Sequence, residues 1–162
     1  MSMNHRAAHL IDALDLEPHP EGGHYREVYR SSDRVTTASR GDRPAVTTIY
    51  FLLASGEYSS WHVVQSDEIW HYYEGDPLEL LTLDPATLEV TRVTLGPFDT
   101  GQQPVCVVPA GHWQAARQTG AYTLVGCSVG PGFEFADFRL MRDEPATERR
   151  VRQEHPDLAS LL

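Results

Sequence analysis

The residues with the most chemistry in them lie between Gly56 and Gly75, in the run GEYSSWHVVQSDEIWHYYEG. It holds His62, an acidic turn, Glu68, a second histidine and a closing glycine. Imidazole and carboxylate are the side chains that move protons near neutral pH or ligate a metal ion. The run alternates as two short strands joined by a tight turn. Side chains alternate faces along a strand. If His62 points inward, so do Ser60 and Val64, while Trp61 and Val63 point out. If Glu68 points inward, so do Trp70 and Tyr72, while His71 and Tyr73 point out. A histidine and a glutamate meeting at a hairpin mouth suit either a metal or an acid–base pair in which each group tunes the other.

The rest of the chain must position that pair. Asn4 to Leu16 reads as a helix, capped by Asn4 and ended by Pro18 and Pro20, with Ala7, Leu10, Ile11 and Leu14 on one face. In PHPEGGHYREVYRS, Gly22 and Gly23 permit a sharp bend before a strand. That bend makes Glu21 a candidate to reach the site. Residues 32–44 are polar and predict a mobile loop. Strands are predicted over 45–54, 77–83, 88–95, 105–108, 113–117 and 122–129, with Gly and Pro between them. Phe133, Phe135 and Phe138 bring aromatic bulk near one end. Pro145 and Pro156 are placed to open short helices. Nine or ten strands after one helix indicate an all-β sandwich or barrel. No repeat or linker divides the chain, so residues 1–162 are expected to form one domain: a helix over about 1–17, a barrel over about 24–140 and a tail over 144–162.

With 162 residues the chain is long enough to bury its own core. Thirteen basic and 23 acidic residues leave a net charge of −10. A field of that sign repels nucleic acid and anionic membranes, so neither is expected as a partner. Cys106 and Cys127 lie in apolar, strand-like runs and are expected as reduced, buried thiols. No run has the length of a signal-peptide core or a membrane span, and a cytoplasmic protein is expected. Trp61 and Trp113 fall on outward positions, which implies a covered outer face. The cover is expected to be a second copy in a homodimer or the N-terminal segment.

Gly56, then His62, Val64, Glu68 and Gly75, resembles the first signature motif of the cupin superfamily, and Pro109-Ala110-Gly111 followed by Gln114 resembles the second. PHPEGGHYRE, SDEIWHYYEG, VPAGHWQA and VGCSVGPGFEFADF are similar to one small single-domain branch whose function is unassigned. The resemblance implies a cupin double-stranded β-helix, or jelly-roll barrel, with an N-terminal helix and short C-terminal helices. It also implies that a small molecule enters at one end of the barrel. A metal-binding cupin supplies three histidines and a glutamate. Here Val64 and Gln114 stand where two of those histidines would be. His62, Glu68 and Gln114 would then be the ligands of any divalent metal, and so thin a set favours no tightly held one. The leading expectation is a small-molecule enzyme of isomerase or epimerase type. His62 and Glu68 would be catalytic, and Gln114, Trp70, Tyr72 and Glu21 would contact a polar, sugar-like ligand. The alternatives are a metal-dependent oxygenase, isomerase or lyase, and a non-catalytic binding or sensing module.

Overall fold

Two antiparallel sheets, laid face to face, dominate the computed structural model, which describes residues 3–162. Helix α1 (His5–Ala13) comes first. The strands follow as β1 (Glu17–Pro18), β2 (His24–Arg30), β3 (Arg34–Thr37), β4 (Gly41–Pro44), β5 (Thr47–Ala54), β6 (Tyr58–Val64) and β7 (Asp67–Gly75). After these come β8 (Leu78–Leu83), β9 (Val90–Leu95), β10 (Val105–Val108), β11 (Trp113–Gln118), β12 (Tyr122–Gly130) and β13 (Phe138–Leu140). Helix α2 (Pro145–Glu154) and a 3-10 helix (Pro156–Leu161) close the chain, each with a proline in its first turn as the sequence predicts. The strands missing from the sequence-based count are β1, β3, β4 and β13, each four residues or shorter. Segments that short carry too few residues for alternation to register.

One sheet runs β1-β2-β5-β12-β7-β10, the other β13-β6-β11-β8-β9. This order corrects the hairpin expected at the central motif. Strands β6 and β7 do not pair. The turn at Gln65-Ser66 carries the chain from one sheet to the other, so His62 and Glu68 approach from opposite walls of the barrel. Alternation alone cannot distinguish a hairpin from a corner between sheets, because both keep the same inward residues.

The core has three parts. Between the sheets, Phe51, Leu53, Trp70, Leu80 and Val125 form one buried cluster. On the outer face of the larger sheet, Asn4 caps α1 by accepting from the Arg6 and Ala7 N–H groups, at 2.9 and 3.3 Å. The helix packs Ala7 and Leu10 on Leu52 and Leu124. On the outer face of the smaller sheet, Met141, Val151, Leu158 and Leu161 cover Trp61 and Trp113. The two outward tryptophans are therefore capped by the C-terminal segment. Neither a second copy nor the N-terminal helix is needed to bury them.

Residues 32–44 form an ordered hairpin, not the expected loop. Its polar sequence serves an ion-pair clamp. Arg43 donates both Nε and Nη2 to the Asp137 carboxylate, each at 2.8 Å, and Arg40 donates Nη1 at 2.6 Å. Asp137 is buried, and the Arg43 and Arg40 guanidiniums hold its carboxyl below the usual range. The clamp fixes the segment that carries Phe133, Phe135 and Phe138. Both cysteines are free thiols, Cys127 buried and Cys106 half-buried. No helix among the described residues is long and apolar enough to cross a membrane.

Candidate active site at the open end of the barrel

A cavity of about 460 Å³ opens at one end of the sandwich. Its floor is built by three acid–base side chains from three elements. Strand β6 supplies His62, β7 supplies Glu68, and the turn before β2 supplies Glu21. All three are buried.

The turn places Glu21 for a steric reason. Gly22 and Gly23 both have positive φ, at 111° and 72°. A Cβ at Gly22 would run into the Tyr58 carbonyl. With glycine there, the turn lies flat on β6, and the Ser60 N–H donates to the Glu21 carbonyl at 2.8 Å. The Glu21 carboxyl then meets the His62 ring, with Oε2 3.2 Å from Nε2. Ser59 Oγ donates to Glu21 Oε1 at 2.9 Å.

The hydrogen bonds assign the protons. His62 Nδ1 lies 2.7 Å from the Ser60 carbonyl, an acceptor only, so Nδ1 carries hydrogen. In the neutral ring Nε2 is then a lone pair facing Glu21. Burial pushes the Glu21 carboxyl up to about 8 and lowers His62, opposed by the Glu68 charge. Both shifts favour the uncharged pair, with the proton on Glu21 donated to Nε2. Burial also pushes Glu68 up to about 7, against the favourable charge of His62. Gln114 Nε2 donates to Glu68 Oε2 at 2.6 Å, and Trp70 Nε1 donates to Gln114 Oε1 at 2.9 Å.

The candidate residues thus separate into two groups. His62, Glu68 and Glu21 line the cavity. Gln114 and Trp70 stand behind Glu68 and orient it, with the Trp70 ring packed edge-on against Phe51 at 5.9 Å. Tyr72 points elsewhere, its hydroxyl donating to the Gly75 carbonyl at 2.6 Å. The positions read as ligand contacts at Gln114, Trp70 and Tyr72 are supports beneath the cavity or remote from it.

His19 was not foreseen. It lines the cavity, its side chain is 6% exposed, and Tyr25, Phe51, Phe135 and Phe138 surround its ring. The Glu21 N–H donates to His19 Nδ1 at 3.2 Å. Burial, then the neighbouring His62, lowers its pKa to about 3, so the ring is neutral with its proton on Nε2. In the sequence it is one histidine between two prolines, and no periodicity marks it as inward. Only the aromatic run GFEFADF hinted that this end was walled by rings.

A divalent metal does not fit these side chains. The Gln114 carbonyl oxygen accepts from Trp70 and its amide nitrogen faces Glu68, so Gln114 presents no donor to the cavity. Val64 lines the wall where a second histidine would stand. Among the described residues, no group of three or more His, Cys, Asp or Glu side chains is disposed to hold a metal ion.

The profile of the cupin superfamily (DUF985) matches residues 8–141. The chain belongs to that family. A hypothetical protein from Leishmania major is 33% identical over 96% of this cupin and 95% of its own chain, with a TM-score of 0.81. A protein from Shewanella oneidensis is also 33% identical, over 99% and 95% of the two chains, again with a TM-score of 0.81. Oxalate decarboxylase from Bacillus subtilis matches at 12% identity, over 92% of this cupin and 37% of the decarboxylase, with a TM-score of 0.60. At that identity the likeness is one of fold alone. No curated protein matches the chain.

Proposed function

We propose that this cupin binds a small polar molecule in its open barrel end and moves a proton on it, in isomerase- or epimerase-like chemistry. The observation that carries the reading is the convergence of Glu21, His62 and Glu68 on one cavity, with burial raising Glu21 to about 8 and Glu68 to about 7 and lowering His62. Carboxyl groups raised into that range can give and take protons near neutral pH. His62, held by the Ser60 carbonyl, takes the Glu21 proton at Nε2, and the Glu21 carboxylate so freed exchanges a proton with the ligand. Glu68 reaches the cavity from the opposite sheet, so a proton removed on one side of a bound carbon can be replaced from the other.

Deuterium exchange tests this on a mixture of compounds, whichever of them is the substrate. The protein is incubated in deuterated buffer with pooled hydroxy- and oxo-compounds, and C–H to C–D exchange is followed by NMR. Exchange is expected for at least one compound. His62→Asn should reduce it by more than about a hundredfold, the range of general acid–base contributions. Retained binding of compounds with no exchange in any of them would instead identify a binding module.

A further inference from the structure

The Glu21–His62 pair on the floor carries no net charge while it shares one proton, so the charges of the mouth bear on what enters. Four carboxylates line it, Asp15, Glu17, Glu27 and Glu134, against two guanidiniums, Arg26 and Arg30. The guanidiniums are already engaged. Arg30 donates to both oxygens of Glu27, at 2.8 and 2.9 Å, to Glu134 at 3.0 Å and to the Phe133 carbonyl at 3.0 Å. Arg26 lies 3.4 Å from Asp15 and 3.3 Å from the Leu14 carbonyl. Glu17 makes no ion pair among the described residues. Beside it the rings of Tyr25, His19 and Phe135 form a wall. Tyr25 meets His19 edge-on at 4.5 Å, and Phe135 stacks on His19 at 6.2 Å. Both Glu17 and Glu27 reinforce the burial that raises the Tyr25 phenol, so their charges act at this wall.

A second feature points inward. His19 Nε2–H makes no hydrogen bond among the described residues, although its side chain is almost wholly enclosed and lines the cavity. The ring nitrogen is open to the cavity, so a ligand's acceptor can take the place of water there.

We propose that the ligand is an organic amine, its ammonium group held at the acidic, aromatic mouth near Glu17 and Tyr25 and a hydrogen-bond acceptor of the same molecule meeting His19 Nε2–H. Aromatic faces and the unpaired Glu17 carboxylate both attract a cation, and both repel the phosphates of a sugar nucleotide. The volume suits a single compact molecule. The proposal rests on the proton-transfer reading only in using the same cavity.

The experiment is calorimetric titration of the full chain with a matched trio: phenylethanolamine, phenylethanediol and mandelate. They share a phenyl ring and a hydroxyl and differ in charge. Phenylethanolamine should bind tightest and mandelate weakest, with about tenfold or more between them, as expected for two net charges a few ångströms away at a solvated mouth. Glu17→Gln should weaken the amine about threefold and leave the diol unchanged. Glu27→Gln, which uncovers Arg30, should narrow or invert the preference. The proposal is overturned if mandelate binds as tightly as the amine, if the amine shows no binding at millimolar concentration, or if Glu17→Gln leaves the amine unaffected. Amine preference without deuterium exchange would keep the ligand class and remove the proton-transfer reading. Deuterium exchange on an anionic compound would do the reverse.

Discussion

At the scale of single residues, buried Glu21 and Glu68 stand against stability. Each has a folded pKa raised above its unfolded value of about 4.5, to about 8 and about 7. Between those limits the folded chain holds protons that the unfolded chain has released. Stability therefore falls as pH rises from about 5 to 8 and levels off beyond. His19 and His62, lowered by burial, act in the opposite sense, but only below about pH 6.5. Glutamine reproduces the protonated acid: its amide donates to His62 Nε2 at one site and its carbonyl accepts from Gln114 at the other. The double variant Glu21→Gln, Glu68→Gln should thus unfold at a higher temperature than the parent. The gain should be small at pH 5, largest at pH 8 and above, and worth about 1.4 kcal/mol for each group and each pH unit within its window. Thermal melts across that range check it. Val64 carries a related expectation. It lines the same wall as His62, so Val64→His brings a third strong donor to His62 and Glu68. Calorimetry should then detect zinc binding tighter than that of the parent.

The elements that frame the site are held by unlike forces. The turn before β2 needs glycine because of the close approach of Tyr58, a constraint visible in the sequence only as Gly-Gly. The hairpin β3–β4 depends on charge. Asp137 accepts from Arg40 and Arg43 while almost fully buried, so removing it leaves two half-buried cations without their partner. Asp137→Ala should cost about 3 kcal/mol. The loss should appear first as faster amide exchange over residues 34–44 and 133–138, before the barrel strands lose protection. Since that second segment carries Phe133, Phe135 and Phe138, ligand affinity should fall with it. A polar stretch looks like a mobile loop when its partner lies 94 positions away in the chain, as Asp137 does from Arg43.

For the whole molecule, the C-terminal segment is part of the core. Val151, Leu158 and Leu161 are buried against Trp61, Trp113, Leu81 and Leu83. Burial of three such side chains contributes about 5–9 kcal/mol, comparable with the total stability of a domain this size. A chain ending at Asp143 should lose cooperative unfolding and show red-shifted tryptophan emission. Leu158→Ala should stay folded and cost about 2–5 kcal/mol, read from denaturant melts. The net charge of −10 is spread over a surface on which the opening of this cavity is also acid-rich, which agrees with exclusion of polyanions from the site.

The sequence by itself determined the barrel, the helix before it, the short helices after it, and the inward face of the two motif strands. Those are properties of local periodicity, capping and turn chemistry, and they are written in neighbouring residues. His62 and Glu68 were legible for the same reason, since their spacing is local to one turn. Tertiary structure alone decided that this turn joins two sheets, that Gln114 and Trp70 stand behind Glu68, that Glu21 bonds His62, and that His19 completes the wall. Each of those facts turns on contacts between residues far apart in the chain, as Gln114 is from Glu68 and His62 from Glu21. It is set by how two sheets pack and which side chains must find partners once water is gone, and no window of sequence contains both members of the pair.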